Sequence, residues 1–213
     1  IQYNEVYGQH KTPKDAQAFD IDLWCENITI QYNYSHDNAG GFLLFMDSWT
    51  SATHTVRYNV SKNDRGRLIS ASMAYYDEKE EHMGFPHVDL YNNTFYSNGL
   101  DMMFLFPAGE GRNGKYFMFQ NNIFCLPDMT MLYEGTDPEN RADPAIAFSR
   151  SLKDETGIWM EPEFVNYGVG VDAFKLKTNS PCKGAGNRVL YMGFPDLWNN
   201  KKADSMNIGA FLG

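Results

Sequence analysis

Ile30-Gln31-Tyr32-Asn33 is the stretch that decides the fold, because variants of it return along the chain. Their final asparagines are separated by 29, 26, 34 and 29 residues, a spacing too long for a hairpin meander. It fits one coil of a solenoid in which fixed strands are joined by loops of different lengths. The other four copies are Ile1-Gln2-Tyr3-Asn4, Val56-Arg57-Tyr58-Asn59, Leu90-Tyr91-Asn92-Asn93 and Phe119-Gln120-Asn121-Asn122.

The repeated asparagine predicts how the coils stack. In a parallel solenoid each strand pairs with its equivalent one coil away, about 4.8 Å along the axis. Asparagine side chains at one repeated position can then join donor to acceptor in a ladder. We therefore predict an all-β solenoid with about five visible coils over residues 1–125.

A second column supports this register. Five residues after the ladder asparagine come Asn38, Asp64 and Asn98, each closely followed by glycine, as turns with left-handed conformations require. A second apolar strand, such as 42–46, follows the turn, so each coil supplies several short strands.

The runs 27–38 and 88–95 resemble coils of the pectate-lyase-like, right-handed parallel β-helix superfamily, and the likeness covers about residues 1–125. Residues 174–186 and 207–211 resemble the closing region of many secreted bacterial members. The resemblance implies a right-handed parallel β-helix with an irregular C-terminal cap, in a carbohydrate-active protein that is secreted, periplasmic or at the cell surface.

Residues 126–213 read as an excursion and cap of the same domain, with a short helix near 145–153 that covers the end or flank of the coils. Ile1 falls inside a repeat template, and terminal repeats normally need a polar cap. We therefore expect the coils to continue upstream of Ile1.

Charge and composition indicate which classes of ligand the protein is suited to bind. The chain has 27 acidic and 18 basic residues, a net charge of -9, which disfavours nucleic acid and weakens the case for a polyuronate. A neutral or weakly charged polysaccharide or oligosaccharide fits better. No apolar run is long enough to span a bilayer.

The sequence gives little indication of a metal site or of a disulfide framework. The three cysteines, Cys25, Cys125 and Cys182, show no Cys-x-x-Cys spacing and are interpreted as buried thiols. Calcium would have only Asp20-x-Asp22, without the rest of a calcium loop. We expect no metal or other cofactor.

Asp20 and Asp22 are the first catalytic candidates. Strand alternation turns Phe19 and Ile21 inward, so both carboxylates project from one outer face, about 7 Å apart. Glycosidases use such a pair, one as acid and the other as base or nucleophile. The stretch resembles the Asp-bearing strand of polysaccharide hydrolases in the superfamily, but a paired Asp-Asp and a Gly-His-Gly are absent. The alternative is a solvated strand face.

His36 and Asp37 are the second catalytic candidates. They lie in a turn, and the equivalent turn one coil later carries Asp64 and Arg65, with Arg67 just beyond. Stacked near Asp20 and Asp22, these groups would supply a proton donor, a base and arginines for substrate binding. The alternative is that His36 and Asp37 only complete turn hydrogen bonds.

Trp24, Trp49 and Tyr76 are candidates for stacking on sugar rings, since aromatic faces pack well against them. Core packing is the alternative for each. The sequence favours a glycoside hydrolase; Arg65 and Arg67 keep a uronate lyase open, and a noncatalytic glycan-binding or structural β-helix is the third possibility.

Overall fold

The computed structural model describes residues 1–10, 16–22, 25–46, 53–72, 87–98, 102–107, 117–125, 132–134, 161–189, 195–201 and 206–213. The predicted helix near 145–153 lies outside these residues. The strands, in chain order, are β1 (Glu5–Tyr7), β2 (Gln17–Ile21), β3 (Thr29–Gln31), β4 (Tyr34–His36), β5 (Gly41–Met46), β6 (Thr53–Arg57), β7 (Val60–Lys62), β8 (Gly66–Ser72), β9 (His87–Tyr91), β10 (Thr94–Tyr96), β11 (Met102–Pro107), β12 (Phe117–Gln120), β13 (Ile123–Cys125) and β14 (Leu132–Glu134).

Three parallel sheets are built from these strands. Sheet A has the order β12-β9-β6-β3, sheet B the order β1-β4-β7-β10-β13, and sheet C the order β14-β11-β8-β5-β2. Neighbours within a sheet are therefore equivalent strands of successive coils. This arrangement confirms the predicted parallel β-helix with five coils.

The corner between sheets A and B is always two residues long. Its first residue has a left-handed backbone in all five coils, with φ between 51° and 57° (Tyr3, Tyr32, Tyr58, Asn92 and Asn121). Tyrosine rarely adopts this conformation. Here the tyrosine rings stack along the solenoid, with centroid separations of 5.2 Å for Tyr3–Tyr32 and 5.7 Å for Tyr32–Tyr58.

The second corner residue is the ladder asparagine. The side-chain oxygen of Asn59 accepts hydrogen bonds from the backbone N and Nδ2 of Asn33, at 3.1 and 2.9 Å. Asn59 donates the same pair to Asn93, at 3.1 and 3.0 Å, and Asn93 donates to Asn122 at 2.9 and 3.0 Å. Asn4 makes the first step to Asn33. The predicted ladder is thus confirmed through all five coils.

The second predicted column is only partly correct. Asn38 donates from its backbone N and Nδ2 to Asp64, at 3.1 and 2.8 Å, as the register implies. The backbone N of Asn98 instead donates to Asn63, one residue earlier. The backbone register itself is unbroken, because the Asn63 N–H donates to the carbonyl of Tyr96 just as the Asp37 N–H donates to that of Lys62.

The core fills the space inside the three sheets. Equivalent inward positions of successive coils stack apolar side chains, as Ile30, Val56, Leu90 and Phe119 do in sheet A. Burial of these columns is the main favourable contribution to folding.

The C-terminal segment packs on the outside of sheet B. Phe164 and Phe174 join a cluster with Tyr34, Val60 and Ile123, which are outward residues of that sheet. After β14 the described residues contain no strand, only a 3-10 helix at Val171–Phe174 and isolated bridges. The segment therefore covers a flank of the solenoid.

We expect Asn59→Ala to lower the free energy of unfolding by about 3 kcal/mol, because it removes the buried oxygen that accepts from the backbone N and Nδ2 of Asn33 and the amide that donates to Asn93. Urea unfolding followed by circular dichroism measures the change. The control is Asn179→Ala, an exposed asparagine that should shift stability by less than about 0.5 kcal/mol. Equal effects of the two substitutions would show that the ladder hydrogen bonds of Asn59 do not stabilise the fold more than an exposed asparagine does.

Candidate functional site

Asp20 and Asp22 lie on or next to β2, the terminal strand of sheet C. Phe19 and Ile21 are buried, whereas both aspartates are exposed, so the strand alternates as predicted. Two residues along a strand are about 7 Å apart and point to the same side. This backbone spacing lies within the range of separations, roughly 5 to 10 Å, between the two carboxyl groups of glycosidases.

The solvent exposure of the outer face of sheet C decreases from the first coil to the next two. Asp20 is in register with Leu44, and Leu44 is in register with Ser70. These three side chains form one outward column, which we call the Asp20 column. Asp20 is exposed, but Leu44 is 5% and Ser70 0% exposed. The face is therefore open at Asp20 and covered at the next two coils.

Ser70 was not among the residues singled out by sequence analysis. Its hydroxyl makes no hydrogen bond in the part of the chain that the structure describes. The only sequence signal is a lone hydroxyl in the apolar run Leu68-Ile69-Ser70-Ala71, which does not by itself indicate a site.

His36 lies on the outer face of sheet B, between two carboxylates. Its Nδ1 is 2.9 Å from Asp37 Oδ2, and its Nε2 is 3.2 Å from Glu5 Oε1. The imidazole stacks between Tyr7 and Tyr34, with centroids 5.0 and 4.7 Å away. Glu5 and Tyr7 were not anticipated, because they approach His36 only through the pairing of β1 with β4.

The predicted catalytic residues therefore form two groups. Asp20 and Asp22 belong to sheet C, and His36 belongs to sheet B with Asp37 directly after it. The polar side-chain contacts of His36 go to Glu5 and Asp37. The two turns do stack as expected, because the Asp37 N–H donates to the carbonyl of Lys62.

Asp64 points into the solenoid instead of joining His36. It is completely buried and accepts hydrogen bonds from the hydroxyls of Ser35 and Ser61 and from Asn38. Burial raises the pKa of Asp64 from 3.8 to about 6, although the bonds from Ser35, Ser61 and Asn38 act to lower it. This carboxylate has a structural role inside the coil.

The structure describes two of the remaining candidates. Arg65 is exposed in the turn after Asp64, and its N–H donates to the carbonyl of Asn38. Arg67 is half-buried on β8. Trp24, Trp49 and Tyr76 lie outside the described residues.

The described residues contain no group of three or more His, Cys, Asp or Glu side chains that could hold a metal ion. The three cysteines are free thiols, and burial raises the pKa of both Cys125 and Cys182 to about 11. Nor does this part of the chain contain a helix long and apolar enough to cross a membrane.

The chain resembles part of one characterised enzyme. Over 127 residues it is 32% identical to lacto-N-biosidase of Bifidobacterium longum subsp. longum. The matched region is 58% of this chain but 7% of that protein. No protein-family model matches the chain. The finding is a distant, partial similarity to a glycoside hydrolase.

The pKa of Asp64 leads to a prediction about pH. The folded state holds the proton more tightly than the unfolded state, so the contribution of Asp64 to stability is full below pH 4 and is lost as the pH rises to about 6. Asp64→Asn, which cannot ionise, should gain about 2 kcal/mol in unfolding free energy relative to the wild type between pH 4 and pH 7. Urea unfolding at the two pH values measures this gain.

The control is Glu26→Gln, which removes an exposed carboxylate. It should show little change in relative stability between the two pH values. A constant difference between wild type and Asp64→Asn across this range would contradict the assignment of a raised pKa to the buried carboxyl.

Proposed function

We propose that this chain is the β-helical part of a secreted or cell-surface glycoside hydrolase that acts on a neutral or weakly charged glycan. The observation that supports it most is the similarity to lacto-N-biosidase, a glycosidase by its name, over more than half of the chain. The exposed pair Asp20 and Asp22 on a rigid strand is the second support. The matched region is 7% of that relative, so the hydrolase activity is proposed for this chain and is not taken over from the whole relative.

The charge distribution supports a neutral substrate. The net charge is -9, and the groups exposed on or near sheets B and C include the carboxylates Glu5, Asp20, Asp22 and Asp37. A polyanionic glycan approaching these faces would be repelled unless a cation intervened. A neutral sugar presents hydroxyl donors, which carboxylates accept well.

In the proposed reaction, one carboxyl of the pair protonates the oxygen of the glycosidic bond as its bond to the anomeric carbon breaks. The other carboxylate either activates the water that attacks that carbon, or attacks the carbon itself and forms a glycosyl-enzyme that water then hydrolyses, with the first carboxylate as base. In both cases the products are two sugars with one new reducing end. Asp20 and Asp22 are assigned these steps. His36 and Asp37, on the neighbouring sheet, are proposed to assist through substrate contacts.

The test is a hydrolysis screen of the chain against neutral and acidic polysaccharides and oligosaccharides that end in lacto-N-biose. New reducing ends report hydrolysis, and ultraviolet absorbance of unsaturated products reports a lyase. We expect reducing ends without that absorbance. Asp20→Asn and Asp22→Asn should each lower kcat by about 100-fold or more, because a proton-transfer or nucleophilic group is lost.

The matched control is Asp89→Asn, which removes a partly exposed carboxylate of sheet A. Its kcat should stay within about twofold of the wild type, and circular dichroism should show all three variants folded. Unsaturated products would identify a lyase and overturn the proposal. A folded wild-type chain that binds glycans but releases no product would favour the alternative of a noncatalytic glycan-binding β-helix.

A further inference from the structure

We propose that His54 is an acid-sensitive anchor: its neutral ring holds the connection between β2 and β3 against β6, and protonation of the ring releases that connection. The inference goes beyond the proposed hydrolysis and does not depend on it. The connection nevertheless begins at the candidate catalytic residue Asp22, directly after β2. Of its remaining residues the structure describes 25–28.

His54 lies inside the solenoid. Its side chain points inward from β6 and is completely buried, with its ring 6.3 Å from that of Phe45 on β5. In the next coil it is paired with Val88, which belongs to the central core cluster. The other histidines that the structure describes are exposed or half-buried, namely His10, His36 and His87.

One hydrogen bond joins the ring to the connection. The backbone N–H of Ile28 donates to Nδ1 of His54, at 3.1 Å. Because Nδ1 accepts this bond it carries no proton, so the ring is the neutral tautomer with its proton on Nε2. Nε2 has no hydrogen-bond partner among the described residues. The fold therefore accommodates a single protonation state of this side chain.

Two further hydrogen bonds between described residues hold the connection to β6, and neither involves a group that titrates. The N–H of Thr55 donates to the carbonyl of Ile28 at 2.9 Å, and the N–H of Thr53 donates to Oδ1 of Asn27 at 3.4 Å. The bond to His54 is thus the one of the three on which a proton can act.

Protonation of the ring removes this bond. A proton taken from water by Nδ1 turns the acceptor into a second donor opposite the Ile28 N–H, and it leaves a positive charge in an apolar interior. Burial lowers the pKa of His54 from its ordinary value of 6.5. The contribution of the neutral ring to stability is therefore full above pH 6.5 and is lost as the pH falls below it.

The described surroundings of the ring offer an imidazolium no compensating charge, because desolvation alone shifts the pKa of His54. Phe45 faces the ring from β5, and Val88 pairs with it from β9. The titratable side chains on the elements packed against it are exposed or half-buried: Asp22, Cys25, Glu26, Arg57, His87 and Asp89. The charged ring is therefore stabilised only by reaching water, which requires the connection to detach from β6.

Amide hydrogen exchange measured by NMR follows the Ile28 N–H from pH 7 to pH 5. After correction for intrinsic exchange, its protection should fall about tenfold in the wild type, because the opened ring binds a proton below pH 6.5. His54→Asn supplies an amide oxygen near the position of Nδ1 that is not protonated in this range, so protection at Ile28 should not fall. The amide of Ile123, which donates to the carbonyl of Asn93, reports global opening and should not fall in either chain.

The matched control is His87→Asn, which removes an exposed histidine from the neighbouring strand and should leave the pH dependence at Ile28 as in the wild type. NMR of the ring nitrogens in the wild type at pH 7 should show Nδ1 of His54 without a proton, a measurement that needs no variant.

Constant protection at Ile28 between pH 7 and pH 5, or a proton on Nδ1 at pH 7, would overturn the anchor. An equal loss of protection at Ile28 and Ile123 would also overturn it, since the opening would then be global, as would a loss at Ile28 that persists in His54→Asn. Each of these outcomes leaves the hydrolysis assigned to Asp20 and Asp22 untouched, because exchange is measured without substrate.

Discussion

The amide-to-amide hydrogen bonds of the asparagine ladder are the constraint on which the rest of the structure depends. Asn33, Asn59 and Asn93 each accept from one neighbouring coil and donate to the other. The bonds therefore fix which residue of one coil lies above which residue of the next. That registration carries through the three sheets, and it places Asp20, Leu44 and Ser70 in one column on sheet C.

The ladder and the strand pattern could be predicted from the sequence because both are local and repetitive. The template around Asn33 recurs with its asparagine at the same place, and Asp20 alternates with Phe19 and Ile21 within a single strand. Repetition strengthens the prediction, because each copy of the template is further evidence for the same coil geometry. The number of coils and the outward direction of the acids followed from these patterns alone.

Other features depended on contacts between distant residues and could not be predicted. Asp64 resembled a surface turn residue, but the serines that bind it lie inside the coil, on β4 and β7. The approach of Glu5 to His36 requires pairing across 31 residues of sequence. The burial of Ser70 reflects packing on the outer face of a sheet, which has no local sequence signature.

The two groups of candidate residues differ in their surroundings, and this bears on their roles. His36 is held by Glu5, Asp37 and two tyrosine rings, so its orientation is already determined by neighbouring side chains. Asp20 and Asp22 are exposed on a strand whose backbone is fixed by pairing with β5. A rigid strand with accessible acids suits a reaction in which carboxyl groups must meet a large substrate.

The corner between sheets A and B has one further consequence, which concerns how such a protein can change during evolution. That corner keeps two residues in every coil, whereas the connections from sheet C to sheet A range from six to fourteen residues. An insertion at the A–B corner would break a step of the ladder, but the opposite connections tolerate it. New recognition loops can therefore accumulate along one rim of the solenoid while its interior is inherited unchanged.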